Sequence, residues 1–414
     1  MYSKEKGGVM ESLRKKFFSH PFVLTIIAIV LGFGVASIIL LLAGFPPKES
    51  ILTLVESMIG RPKDIASVII RSTPIIFTGL GVAFAIKTGL FNIGAEGQYI
   101  MGCVVATMVG SMLDFPKPVA VLMVVISAML VSALYAGFVG LLKAHFGIHE
   151  VITSIMLNWI ALYFSNWICG LNFFHKPGTI GMYPVNDCTY TMILPVWKKS
   201  EAGQAFLAAN PLLQETLGRT DLNIGFIVAV IAAIYISHLL RRTRKGFELR
   251  AVGQNIHAAR FAGINVKRSI VHAMMISGAL CGLGAAFYVT GQSPHTVSTL
   301  SAFENVGFNG LSVAFIAFSS PIGCIFAGLL FGGLLYGGAG LQSKIGAPTE
   351  IINIVIGVIV FFCALSYLIP RFIDRLDAAR ESRRRARRIA KEKKAKAKQE
   401  AKAGKGKKGG SDVI

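Results

Sequence analysis

The stretch Val119–Leu142 reads VAVLMVVISAMLVSALYAGFVGLL, a run without a single charged residue. A bilayer's hydrocarbon core is about 30 Å thick and a helix rises about 1.5 Å per residue, so about 20 apolar residues suffice to cross it. Working outward, further apolar runs flank this one. Phe22–Ala43 is as clear. Ile65–Ile86 is interrupted by Arg71 and Pro74, and Gln98–Met112 is short. Val151–Gly170 carries Asn158, Trp159, Asn166 and Trp167. Ile224–Leu240, Ile270–Val289, Ile322–Gly340 and Ile351–Ile369 complete the long runs, and Phe308–Phe318 is too short to span alone. The pattern predicts an all-α, polytopic membrane protein with about ten transmembrane helices. The basic flank Arg14, Lys15 and Lys16 resembles that of a signal peptide, but the following run is long and no small-residue cleavage site stands out, so it reads as a retained span.

Composition agrees. Of 414 residues, 53% are apolar and only 15% charged, yet the net charge is +21. A soluble domain carries about 25% charged residues. The excess is confined to three segments: the tail 371–414 (net +11), the loop 241–268 (net +7) and the N-terminus 1–20 (net +3). A nucleic-acid-binding protein would spread basic residues over a folded face; here they border apolar runs. With an even number of spans all three segments fall on one side, which the positive-inside rule makes cytoplasmic. The long loop 171–223, whose charges cancel, falls outside. The expected organisation is a cytoplasmic N-terminus 1–20, a transmembrane domain 21–370 and a basic cytoplasmic tail 371–414, with a helix from Asp377 to about Lys402. An eight-span arrangement that drops two weak candidates on the same side of the 241–268 loop keeps the same orientation.

No phosphate-binding G-x-x-x-x-G-K-[ST] loop, HExxH or GxSxG motif is present, and the six cysteines form no CxxC pair. The sequence therefore points to no catalytic group, metal or cofactor. Cys169 and Cys188 stand where an outer disulfide could form; two unpaired thiols is the simpler expectation.

Polar groups are costly in lipid, so where they enter apolar runs they mark protein-lined or water-filled sites. The segment Lys87-Thr-Gly-Leu-Phe-Asn-Ile-Gly-Ala-Glu-Gly-Gln98 holds three glycines with Asn92, Glu96 and Gln98. Broken helices of this kind are where transporters bind polar solutes; an ordinary cytoplasmic loop is the plainer alternative. A second tract, Phe308-Asn-Gly-Leu-Ser-Val-Ala-Phe315, repeats Phe77-Thr-Gly-Leu-Gly-Val-Ala-Phe84 with six of eight positions identical. This adds Thr78 and Asn309 to the candidate pathway. Asn158 and Asn166, eight apart, share a helical face and either line a pathway or join helices by side-chain hydrogen bonds. Glu150 reads as an interfacial residue at a helix N-terminus, where the dipole favours negative charge. In the basic loop, Asn255 is placed to cap a short helix beginning at Ile256 and His257, and Gly263 to end it. A helix framed in this way, outside the membrane, suggests a docking element.

These residues carry a resemblance. Gly89–Gln98, Glu150–Asn158, Glu248–Ile264 and Gly346-Ala-Pro-Thr-Glu350 resemble the membrane permease subunits of ATP-binding-cassette importers, in the group covering simple sugars, branched-chain amino acids and nucleosides. Phe-Asn-Ile-Gly-Ala-Glu-Gly-Gln is similar to the nucleoside-type subgroup. His149 stands where that pattern has Asn. The resemblance implies a cell-membrane subunit with no chemistry of its own. Its pathway would be lined by Asn92, Glu96, Gln98, Thr78, Asn158 and Asn309. It would work with a second, different permease, an external solute-binding lipoprotein and a cytoplasmic ATPase. The ATPase would dock on Glu248, Arg250, Gly253, Asn255, Ala258, Ala259 and Gly263. Membrane lipids are the remaining partner, and no nucleic acid is implied. The competing expectations are a secondary transporter driven by an ion gradient, with Glu96 as a proton carrier, and a membrane scaffold acting through its tail.

Overall fold

The computed structural model describes residues 21–365 together with Arg375 and Ser382. The segment 1–20 and nearly all of 371–414, including the expected tail helix, lie outside the described residues. The chain divides into two compact units. One, Gly32–Ala364, holds every site discussed below. The other joins Met1–Leu31 to Leu365–Ile414, and its described part comprises Pro21–Leu31, Leu365, Arg375 and Ser382.

The described residues are helical, with isolated β-bridges only. The helices are α1 (Pro21–Leu42), α2 (Pro47–Ile59), α3 (Pro62–Lys87), α4 (Ala95–Met112), α5 (Lys117–Phe146) and α6 (Glu150–Cys169). After the long loop with its short α7 (Glu201–Ala209) come α8 (Gly225–Arg242), α9 (Arg244–Gln254), α10 (Ile256–Phe261) and α11 (Val266–Gly291). The last described helices are α12 (Val306–Ile316), α13 (Pro321–Ile345) and α14 (Thr349–Leu365). Apart from a residue or two at their ends, nine of the apolar runs picked from the sequence lie on these helices, and Ile351–Ile369 does so as far as Leu365, where the continuously described residues end. Six of them, α3, α5, α6, α8, α11 and α13, are long and apolar enough to cross a membrane.

Two patterns explain how they pack. On α5 the exposed Leu122, Ile126, Leu130, Leu134, Phe138 and Leu141 follow helical spacing and form an outward apolar stripe, as a lipid-facing surface requires. The opposite face carries Ala128, Ser132, Ala136 and Gly140 four residues apart, closely packed on Met274, Gly278 and Gly282 of α11. Apolar contact gains nothing over lipid inside a bilayer, so helices associate where small residues let backbones approach. Against this pair lies α4, whose Gly102 touches Ala285 and Ser132. On the other side α3 packs Ile76 against Gly328 and Ser72 against Gly332 of α13. The amphipathic α2, which the search for apolar runs passes over, buries Leu54 and Ser57 against Gly337 and Gly340 of α13.

The two tracts matched in sequence meet in space. Gly79 of α3 packs on Val313 and Gly310 of α12, and Thr78 Oγ1 lies 3.1 Å from the Val306 carbonyl. Gly79 and Gly310 occupy the same place in the repeat.

Candidate functional site

The polar segment between α3 and α4 sits where five elements converge, and it is irregular from Thr88 to Gly94. Its polar atoms are paired inside the protein. Asn92 and Gln98 form a reciprocal amide pair: Asn92 Nδ2 donates to Gln98 Oε1 and Gln98 Nε2 to Asn92 Oδ1, each at 2.9 Å. Asn92 Nδ2 also donates to Ser277 Oγ of α11 (2.7 Å), and Ser277 donates to the Gly81 carbonyl (2.7 Å). Asn158 of α6 spans the break, accepting from the Gly97 N–H (2.8 Å) and donating to the Ile93 carbonyl (3.1 Å). Freed backbone groups at membrane depth need such partners. The face shared by Asn158 and Asn166 therefore binds irregular chain. Asn166 exchanges two hydrogen bonds with the backbone of Leu300, both at 2.8 Å.

Glu96, in the first turn of α4, is wholly buried. Its Oε1 accepts from the Asn305 N–H (2.8 Å), and its Oε2 from the N–H groups of Gly307 (2.6 Å) and Phe308 (3.3 Å). These are orphan donors at the start of α12, whose own N-cap Asn305 makes no side-chain cap and sits at φ +63. Glu96 thus caps another helix, where the N-terminal partial charge favours a carboxylate. Gly307 leaves no room for a Cβ against the Glu96 backbone. Thr78 stands beside the same turn, and Asn309 is half-buried one residue after Phe308.

The candidates in the basic loop 241–268 separate into two groups. Glu248 lies on α9 with Arg250 and Gly253. Hydrogen bonding from Lys245, with Arg244 behind it, holds the Glu248 carboxylate below the usual range. Asn255 Oδ1 accepts from the N–H of His257 and Ala258, both at 3.0 Å, and Gly263 follows α10 at φ +78, so the expected cap and stop are both in place. The preceding helix α9 was not expected from the sequence. Ala258 is exposed, whereas Ala259 is buried beneath the loop. Gly253 packs directly on the backbone of Thr88 and Gly89, with no space for a Cβ on Gly253 or Gly89. Gly89 has φ +76, a conformation open to Gly at little cost.

Sequence inspection missed several residues here. Phe247 and Phe261 are 62% and 94% exposed on the basic loop, and Ile256 is also exposed. Single aromatic residues among arginines gave no periodic signal. Glu150 pairs with Lys143 and accepts from the Phe91 N–H (3.4 Å), so it anchors the polar segment as well as the interface. His149 Nδ1 accepts from the Val151 N–H (3.3 Å) and so caps the start of α6. Cys169 and Cys188 make separate contacts with the carbonyls of Val297 and Leu113. Among the described residues no three His, Cys, Asp or Glu side chains are grouped to hold a metal ion.

Comparison with known proteins gives a consistent picture. The family model of the permease component of branched-chain amino acid transport systems matches residues 64–364. The chain is 34% identical over 358 residues to the guanosine ABC transporter permease protein NupP of Bacillus subtilis (strain 168), covering 86% of this chain and 97% of that one. It is 36% identical over 359 residues to the nucleoside ABC transporter permease protein NupB of Lactococcus lactis subsp. cremoris, covering 86% and 94%. The glucose ABC transporter permease protein TsgB13 of Haloferax volcanii is 26% identical over 352 residues, covering 84% and 88%. No solved structure matches.

Proposed function

Since the chain belongs to the family of branched-chain amino acid transport system permease components, we propose that it passes nucleosides through a pathway whose inner junction is the segment Gly89–Gln98. As an ABC importer permease it is an integral protein of the cell membrane and not an enzyme; ATP hydrolysis belongs to a partner chain. The nucleoside assignment is supported by the names of two relatives that the chain matches at 34–36% identity. The family makes an ion-gradient mechanism with Glu96 as proton carrier the disfavoured reading.

In this reading the domain runs from 21 to 370 with ten crossings and both termini in the cytoplasm. The loop 171–223 faces outward, and the loop 241–268 receives the ATPase. Glu248, Arg250, Gly253, Asn255, Ala258, Ala259 and Gly263 frame the docking element. Of these, Asn255 and Gly263 set the ends of α10, Ala259 seats it, and Ala258 meets the partner beside Phe261 and Phe247. Asn92, Glu96, Gln98, Thr78, Asn158 and Asn309 build the inner wall. A second, different permease completes the pathway and a solute-binding lipoprotein delivers the nucleoside.

The observation that carries the proposal is the backbone contact of Gly253 with Thr88 and Gly89. It ties the docking helices to the segment whose Glu96 holds the start of α12. A displacement of α9 by ATPase closure is thereby passed to the pathway as a rigid shift, the usual way packed helices switch. Purifying the complex through this chain should recover an ABC ATPase and a second permease. Uptake of labelled guanosine should require ATP hydrolysis and withstand collapse of the membrane potential. Uptake that survives ATPase deletion and stops with an ionophore would return the ion-gradient mechanism.

A further inference from the structure

One cleft stands apart from the hydrogen-bonded junction. Helices α4, α6 and α11 and the extended chain before α12 line this cleft, which is partly open to bulk. It begins one turn beyond Glu96. Its wall carries the hydroxyl side chains of Tyr99, Ser165, Tyr288, Thr296 and Ser298, and the carboxyl of Glu304. Ser298 bridges to Gly181 of the long loop, and Asn305 is held by Glu96. The cleft therefore lies between the long loop and the junction.

Two of its side chains are unusual. Tyr99 and Ser165 are both 0% exposed, yet neither Tyr99 Oη nor Ser165 Oγ has a nitrogen or oxygen partner. Only the thiols of Cys103 and Cys169 stand beside them, and a thiol is a weak partner. Buried hydroxyls in folded proteins are nearly always hydrogen-bonded. Of the five buried side-chain polar atoms without a partner among the described residues, these two border the cleft, where a bound solute would supply one. Glu304 differs from both, since its side chain is exposed. The rings of Tyr99 and Tyr288 are 5.9 Å apart and tilted by 54°, giving the cleft an aromatic wall. No Lys or Arg lines it.

We propose that this cleft is a solute station on the pathway, and that it admits neutral solutes combining an aromatic ring with vicinal hydroxyls while refusing their phosphorylated forms. This rests on the nucleoside reading above. The Glu304 carboxyl stands where it can accept hydrogen bonds from the two hydroxyls of a ribose diol. Tyr99 and Ser165 supply hydroxyls that donate or accept at the base edge or the 5′-hydroxyl. The Tyr288 ring offers its face to the base. A phosphate would enter beside the Glu304 carboxyl with no Lys or Arg in the wall to offset its charge. Selection against nucleotides thus comes from the missing counter-charge as much as from the fit of the accepted solute.

The test uses the whole importer in proteoliposomes with its loaded binding protein, measuring guanosine uptake and ATP hydrolysis together. Tyr99→Phe and Glu304→Gln remove one hydroxyl and one carboxyl with little change of shape. Each should lower uptake at least fivefold while ATP hydrolysis stimulated by the loaded binding protein stays within twofold of wild type. A parallel fall of both activities indicates a structural role and overturns the station, as does uptake within twofold of wild type in both variants. In a second measurement, 8-azidoguanosine is photolysed with the purified wild-type complex in the absence of binding protein. Labelling should fall on the peptides bearing Tyr99 or Tyr288, and guanosine should compete while guanosine monophosphate does not. Labelling elsewhere, or equal competition by the nucleotide, overturns the station even if a variant fails to assemble. A wild-type complex that imports no nucleoside overturns the nucleoside reading and the station with it. Nucleoside import that ignores the variants overturns the station alone.

Discussion

Glu96 shows how a single side chain decides between a flexible pathway and a built one. Both of its oxygens accept, together taking three backbone N–H groups at the start of α12. Replacing it with Gln keeps the size but turns one acceptor into an NH2 group facing an N–H donor. A buried donor left without a partner costs about 1–3 kcal/mol. Glu96→Gln is therefore expected to lower the thermal unfolding midpoint of the purified complex and to reduce uptake together, nearly as much as Glu96→Ala. A variant with wild-type midpoint and uptake would mean that the carboxylate does not hold α12. The sequence marked Glu96 as a candidate because a charge in an apolar zone demands a reason. It did not reveal that the reason is a cap on a helix 209 positions further along the chain, since long-range caps leave no local spacing. Asn92 and Gln98 were legible in the same limited sense: the residue types were right, and their mutual pairing was not visible.

Helix by helix, the sequence was most informative where ends are coded locally. Asn255 and Gly263 bound α10 as their cap and stop chemistry requires. It was least informative for α2, a 13-residue amphipathic helix with Lys48, Glu49 and Glu56 among its apolar residues, too short and too charged to register as a span. It also started the third span at Gln98, three residues late, because Glu96 read as loop. At the docking element the structure sharpens which substitution is informative. Ala259 is buried, so Ala259→Arg would disrupt the loop itself as well as any interface. Phe261 is almost fully exposed, and its removal alters only what it meets. Phe261→Asp should leave the amount and stability of the permease unchanged and lower ATPase co-purification at least tenfold, about 1.4 kcal/mol of binding. Gly253→Val should act differently: its side chain has no space against Thr88 and Gly89, so ATPase binding should persist while uptake falls. If Phe261→Asp retains full ATPase binding, the partner sits elsewhere on the basic loop.

Across the whole chain, the crossing number turns on α12, which has 11 residues. At about 1.5 Å per residue it covers roughly half of a bilayer core. In the proposed ten-crossing arrangement the chain just before it supplies the remainder. Val297 accepts from the Cys169 thiol at the end of α6, Leu300 is held by Asn166, and the Phe303 ring lies 4.7 Å from that of Trp159. The extended segment thus runs back along α6 toward its middle, and its backbone is satisfied there by side chains of α6 and then by Glu96. Irregular chain at membrane depth is tolerated when protein covers it, so under the proposed ten-crossing arrangement segment and half-helix together form one discontinuous crossing. That accounting makes the turn between α13 and α14 external and the basic loop internal. Single cysteines at Val196, Ser343 and Ala258, all exposed positions, provide the check once Cys188 is replaced by Ser. A membrane-impermeant maleimide applied to intact cells should label Val196→Cys and Ser343→Cys, and should reach Ala258→Cys only after permeabilisation. Labelling of Ser343→Cys from the inside alone would mean that α12 and the chain before it do not cross, and would leave an odd number of spans after the basic loop. The net charge of the loop 241–268 and the exposed aromatic residues on it would then no longer share a side with the tail, and the orientation drawn from the basic segments would fail with the crossing number.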